Sequence, residues 1–242
     1  MNRNYISGIR LHRQPPEGSY LSRLPAVRSL LRRGELPFDR PVTFFVGENG
    51  TGKSTLLEAI ALACGFNAEG GSRNFNFSTV HTETPLHEDL TLLRGNYPKD
   101  GFFLRAESFY NVASNIDELH VIRSYGGVSL HKQSHGESFL ALVQNRFRGH
   151  GLYLLDEPEA ALSPSRQMTL LAEMDRLVKD GSQFIIATHS PILMAFPGAA
   201  IYELTEDGIR SASYRETEHY QLTRRFLENP EEMLHHLLDE EE

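Results

Sequence analysis

One stretch limits the possible folds more than any other: Gly47-Glu48-Asn49-Gly50-Thr51-Gly52-Lys53-Ser54, which fits the pattern G-x-x-x-x-G-K-[ST]. Such a loop takes its meaning from a strand before it and a helix after it. Both are expected here. Residues 42–46 form a short β-branched and aromatic run bounded by Pro41 and Gly47, as in a strand buried on both faces. From Thr55 to Cys64, apolar residues recur at helical spacing with few breakers. Glycines let the loop turn successive N–H groups toward an anion, and the helix N-terminus adds partial positive charge. Gly47, Glu48, Asn49, Gly50, Thr51, Gly52, Lys53, Ser54 and Thr55 are therefore the candidate phosphate-binding residues. In such a loop the lysine reaches the β- and γ-phosphates and the hydroxyl of Ser54 ligates Mg²⁺.

The rest of the chain alternates strand and helix signals. Residues 3–12 read as a first strand through Ile6, Ile9 and Leu11. Leu21, Leu24, Val27, Leu30 and Leu31 give 20–31 a helical spacing that Pro25 interrupts. Tyr20 has two readings, a core tyrosine or a ring that stacks on adenine. Residues 65–76 read as a loop, 87–94 as a short helix, 101–105 as a strand, and 112–122 as a helix capped by Ser114 or Asn115 and stopped by Tyr125-Gly126-Gly127. A helix opens at 133–138 and runs to Arg146, followed by an apolar strand at 152–155. Ser163 and Pro164 then suit the N-cap and first position of another helix. A buried strand at 183–188 and a hairpin at 200–204 and 209–214 follow. Acidic helices at 216–227 and 231–239, split by Asn229-Pro230, end the chain. This alternation predicts a single α/β domain over 1–242 with a mostly parallel central sheet, helices on both faces and a small subdomain inserted at about 65–148.

Composition narrows the setting. A chain of 242 residues, 40% hydrophobic and 23% charged, can bury a sizeable core. No apolar run approaches the ~20 residues needed to span a bilayer. The N-terminus lacks the apolar centre of a secretory signal. Cys64, the single cysteine, excludes an internal disulfide and is expected as a buried small hydrophobe. A cytoplasmic location is the expectation. The net charge of −8 carries no global signal for nucleic acid. Residues 1–40 nevertheless hold eight Arg against three acids, and 216–242 hold nine acids against two Arg. The Arg-rich end is either a solvated face or a place for a polyanion.

Leu152-Tyr153-Leu154-Leu155 followed by Asp156-Glu157 is the second landmark. At the carboxyl end of a buried strand, Asp156 emerges beside the phosphate loop, where it helps hold Mg²⁺ through water. Glu157, one residue further out, is placed to accept a proton from an attacking water. Ser134-His135-Gly136-Glu137 lies about twenty residues before Asp156, and His189 follows the strand at 183–188. In this order, and with Ala161-Leu162-Ser163, these motifs resemble the ATP-binding-cassette (ABC) ATPases over about 42–191. The resemblance implies ATP and Mg²⁺ as cofactors and a homodimer that sandwiches two ATP molecules head to tail. Ser134, Gly136 and Glu137 of one subunit then serve the nucleotide on the partner's loop. Lys53, Glu157 and His189 become the catalytic residues, with His189 on the γ-phosphate.

Two departures from the family pattern refine that expectation. His135 and Glu137 stand where transporters of the family typically carry Gly and Gln. No Gln occurs between residues 68 and 132, so the Q-loop glutamine is missing. Glu107 is the candidate for its place, as a metal ligand or an orienter of water, with a plain surface acid as the alternative. The missing Gln argues against a transporter motor. About 80 residues between Lys53 and Ser134 leave no room for a long coiled coil. The expectation is a compact soluble dimer that hydrolyses ATP to act on nucleic acid or a partner protein. A transporter motor with a separate membrane partner, and an ATP-gated regulatory module with little turnover, are the alternatives. A nuclease is unsupported, because no second acidic cluster follows these motifs.

Overall fold

A computed structural model describes residues 4–72, 84–107, 109 and 134–238. The helix expected at 112–122 with its Ser114 or Asn115 cap, the Tyr125-Gly126-Gly127 break and Gln133 lie outside the described residues, as does part of the subdomain expected at 65–148.

The chain begins with β1 (Ile6–Leu11), then α1 (Tyr20–Arg23) and α2 (Pro25–Arg33), which meet where Pro25 starts the second helix. A two-residue β2 (Leu36–Pro37) leads to β3 (Val42–Val46), the loop, and α3 (Lys53–Ala63). Next come α4 (Leu86–Asp89), β4 (Leu90–Arg94) and β5 (Asp100–Arg105). Then follow α5 (His135–Arg146), β6 (Gly151–Asp156), a 3₁₀ turn at Pro158–Ala161, α6 (Pro164–Lys179) and β7 (Gln183–Ala187). The chain closes with α7 (Pro191–Met194), the hairpin β8 (Ala200–Thr205) and β9 (Gly208–Ala212), α8 (Glu218–Glu228) and α9 (Pro230–Leu238).

Six strands form the central sheet in the order β5-β6-β7-β3-β8-β9. All neighbours are parallel except β8 and β9, so the mostly parallel sheet is present with an antiparallel edge. Because alternate side chains leave opposite faces, each strand feeds two cores. Phe44, Phe102, Tyr153, Leu155 and Ile186 pack against Phe139 and Leu142 of α5 and Leu170 and Met174 of α6. Phe45, Phe103, Leu154 and Ile185 pack on the other face against Leu56, Leu57 and Ile60 of α3 and Val27 and Leu30 of α2. Helices therefore cover both faces. Cys64 is buried in this second core, as expected of a small hydrophobe.

Two elements differ from the sequence expectation. The first strand joins a separate three-stranded antiparallel sheet, order β2-β1-β4. The helix expected at 87–94 stops at Asp89 and continues as β4, because residues 90–94 pair with β1 from Leu11↔Leu90 to Ile6↔Arg94. Leu90 and Leu93 suit a helix locally, but the ladder with β1 overrides that spacing.

Candidate active site

β6, β7 and β3 are adjacent and parallel, so their carboxyl ends open on one edge of the sheet. The ladder continues past the strands. Glu157 N–H donates to the Ala187 carbonyl at 2.9 Å, and Thr188 N–H to the Phe45 carbonyl at 3.0 Å. These bonds set the loops bearing Glu157, His189 and the phosphate-loop motif side by side, at the edge where open α/β sheets bind ligands.

The loop backbone requires its glycines. Gly47 has φ +132°, and a Cβ there would lie 2.1 Å from the Leu204 carbonyl oxygen. Gly50 and Gly52 also have positive φ, and Gly52 caps α3. The Glu48 carbonyl accepts the Thr51 hydroxyl at 2.8 Å and Lys53 Nζ at 3.0 Å. Lys53 is buried, and burial pushes its ammonium down from the ordinary value against Glu157, Asp156 and Glu48, which favour the charged form. A buried ammonium beside a helix N-terminus is a ready phosphate site.

Asp156 is buried, and burial pushes its carboxyl up to about 6, opposed first by Arg105 and then by a hydrogen bond from Ser54. Its Oδ1 is buried with no hydrogen-bond partner among the described residues. An unpartnered carboxylate oxygen beside a serine hydroxyl is a donor set suited to a hard cation, so Ser54 and Asp156 fit Mg²⁺. Among the described residues no three His, Cys, Asp or Glu side chains cluster to hold a metal. Oxygens of nucleotide and water would have to complete the coordination.

Glu157 sits in the left-handed region, φ 49° and ψ 51°, which costs a non-glycine residue about 1 kcal/mol or more. That backbone directs its Oε1 to within 3.4 Å of His189 Nε2. Glu159, two residues on, accepts the His189 N–H at 2.5 Å. Burial raises the Glu159 carboxyl, while the hydrogen bond from the His189 backbone lowers it. Ser190 Oγ donates to Gln167 Oε1 at 2.5 Å, and Gln167 Nε2 donates to the Leu162 carbonyl at 3.0 Å. The segment carrying His189 is thus held by the loop after β6 and by α6. The ring itself meets a residue from the far end of the chain: His189 Nδ1 lies 3.0 Å from His219 Nε2 on α8.

Ser134 caps α5. Its N–H and hydroxyl donate to Glu137 Oε2 at 3.0 and 2.7 Å, and Arg166 donates to both side chains. These hydrogen bonds, led by that from the Ser134 hydroxyl, hold the Glu137 carboxyl below its ordinary value. A Cβ on Gly136 would approach the Ala161 carbonyl oxygen to 2.8 Å, so glycine is needed for the helix to meet the turn after Glu157. Ser134 and Glu137 remain exposed.

The structure therefore brings together Lys53, Ser54, Asp156, Glu157 and His189, and sets Ser134 and Glu137 exposed at a helix start, with Gly136 buried between them. Glu137 is engaged as an acceptor within its own cap. Glu107 is exposed and its ion pair is with Arg105 at 3.7 Å. From that strand it is Arg105, not Glu107, that reaches Asp156, with Nε 3.5 Å from Oδ2. Tyr20 is not a core tyrosine: it is 54% exposed and donates to Thr84 Oγ1 at 3.2 Å. A cleft of about 490 Å³ beside the loop is lined by Pro25, Asn49, Thr51, Leu204 and Asp207 among others. Arg105, Glu159 and His219 went unread in the sequence; Glu159 had a weak signal in its spacing from Asp156, and His219 had none.

Residues 23–107 match a family model described as "AAA domain", and residues 118–195 match a second described as "AAA domain, putative AbiEii toxin, Type IV TA system". The chain is 22% identical over 178 residues to the nucleoside import ATP-binding protein NupA of Lactococcus lactis subsp. cremoris (strain MG1363), covering 66% of this chain and 34% of that protein. It thus spans about a third of that relative's length. A nucleotide-free ATP-binding cassette from an ABC transporter superposes with a TM-score of 0.50 at 15% identity, covering 97% of this chain and 99% of the other. The SMC head domain from Thermotoga maritima gives 0.46 at 16%, covering 87% and 99%. With the loop, the acid pair and the histidine at adjoining strand ends, the chain has the fold of an ATP-binding cassette and matches AAA-domain models over both halves of that site.

Proposed function

We propose that the protein hydrolyses ATP in a head-to-tail homodimer and uses the cycle to change its grip on nucleic acid or a partner protein. The observation that carries this reading is the contact between Glu157 and His189, set beside a buried Lys53. In this account Lys53 and the N–H groups of 47–55 bind the phosphates, and Lys53 offsets charge that develops on them. Glu157 accepts the proton of the attacking water. His189 holds that water and the γ-phosphate in line. Ser54 and Asp156 hold Mg²⁺, which supplies charge neutralisation at the phosphates when bound. Ser134, exposed at a helix start, contacts the partner's nucleotide.

Three of the N-terminal arginines are engaged within the chain, Arg13 with Asp89, Arg32 with the Asp207 carbonyl and Arg33 with the Ile209 carbonyl. A polyanion would have to use the others. A second reading, the motor subunit of a transporter, draws on the similarity to a nucleoside import ATP-binding protein.

The test is steady-state ATP hydrolysis, alone and with single- or double-stranded DNA, with Lys53→Ala as the blank. Stimulation that fades with added salt supports contact with a phosphate backbone. Hydrolysis indifferent to DNA moves the partner to protein or membrane. Wild-type activity no higher than the blank overturns the proposal.

A further inference from the structure

His219 lies in no motif, yet its ring is delivered onto His189 by an anchored helix start. Thr217 is fully buried and its hydroxyl donates to the Tyr214 carbonyl at 2.8 Å. Glu203, buried on β8, accepts the Glu218 N–H at 2.8 Å through Oε1, while its Oε2 accepts Arg210 Nε at 2.8 Å. The first turn of α8 is therefore pinned to the β8–β9 hairpin, although the helix beyond it is exposed. The His219 side chain is 14% exposed, with ring centroids 5.1 Å apart between the two histidines.

Donor and acceptor capacity fixes how the pair is wired. Burial and then Lys53 push His189 toward the neutral form, against Glu157. A neutral imidazole carries one N–H. His189 Nε2 is buried without a hydrogen bond among the described residues, and the acceptor-only carboxylate of Glu157 at 3.4 Å favours the proton on that nitrogen. Nδ1 must then accept, and the atom facing it at 3.0 Å is His219 Nε2. The Glu48 carboxylate, 3.8 Å from His219 Nε2, favours a proton on that same nitrogen. His219 Nδ1 is buried with no hydrogen-bond partner among the described residues, so the ring's contact with His189 is through Nε2.

We infer that His219 is a positioning residue for ATP hydrolysis: its Nε2–H, donated to His189 Nδ1, fixes the ring and tautomer of His189 so that the His189 Nε2–H faces Glu157. The inference rests on the placing of His189 in hydrolysis proposed above. It makes the C-terminal helix part of the site.

The test pairs kinetics with histidine ¹⁵N NMR of the full-length protein. Wild type is expected to show His189 as the Nε2–H tautomer. His219→Phe, which keeps a ring without the donor, should lose that tautomer preference and lower kcat about 10- to 100-fold with KM for ATP nearly unchanged. His219→Gln, whose amide N–H can replace Nε2–H, should restore most of the rate and the tautomer. In a His189→Ala background, His219→Phe should have almost no further effect. An Nδ1–H tautomer in wild type, or an equal rate loss from His219→Phe with and without His189, overturns the inference. If His219→Phe does not fold, a His219→Gln protein that folds but loses the tautomer overturns it equally. An inactive wild type with the expected tautomer would sink the hydrolysis reading and leave the pairing intact.

Discussion

Arg105 and Asp156 are register partners on neighbouring parallel strands, and the guanidinium lies 3.5 Å from the carboxylate while donating to Glu58 at 2.7 Å. One cation thus compensates two acids of low exposure, one at the end of β6 and one on α3. Removing it leaves Asp156 with the Ser54 hydroxyl and Glu58 with the Thr84 N–H, and takes the guanidinium from both. Arg105→Met is expected to destabilise the fold by about 3 kcal/mol, read by urea denaturation. Arg105→Lys should recover part of the loss, since a point charge cannot serve both partners with the same geometry.

Gly47 is the second sensitive point. Alanine there combines a backbone region open almost only to glycine with a 2.1 Å approach to the Leu204 carbonyl. Gly47→Ala should lower stability by about 1–3 kcal/mol and abolish ATP binding, measured by thermal melting and by titration with a fluorescent ATP analogue.

Lys53→Ala separates binding from folding. Among the described residues the ammonium's hydrogen bond is to the carbonyl of Glu48 in its own loop, so the fold should survive. ATP affinity should fall about 100-fold, the loss expected for a charge-assisted phosphate contact, measured by calorimetry.

The parts that were legible in the sequence are those whose signal is local. The loop between β3 and α3, the runs at β6 and β7, the Ser163-Pro164 helix start and the break at Pro25 each rest on a few consecutive residues. β4 lies inside the short helix that the sequence suggests over 87–94, because its partner, β1, is about eighty residues away in sequence. His219 was illegible for the same reason: its meaning comes from Glu203 and Thr217, which pin one helical turn, and from His189, thirty residues earlier. Glu107 follows the strand at 101–105, which makes it the sequence candidate for the missing glutamine's place. The structure turns the preceding arginine toward Asp156 and leaves Glu107 in solvent.

Complementation tests which residues build one site. In a head-to-tail dimer, Ser134→Phe damages the site on the partner's loop, and Lys53→Ala damages the protomer's own. Each variant alone should turn over ATP poorly, and Ser134→Phe should bind it normally. Mixing them should regain activity, because the heterodimer contains one site with an intact loop and an intact Ser134. A site built within one chain would regain nothing.

The most direct test of the central claim is the mass of Glu157→Gln in solution, by light scattering, with saturating ATP and Mg²⁺. The account predicts a stable dimer that retains unhydrolysed ATP and falls apart when Lys53→Ala is added to the same chain. A Glu157→Gln protein that binds ATP and stays monomeric would contradict it.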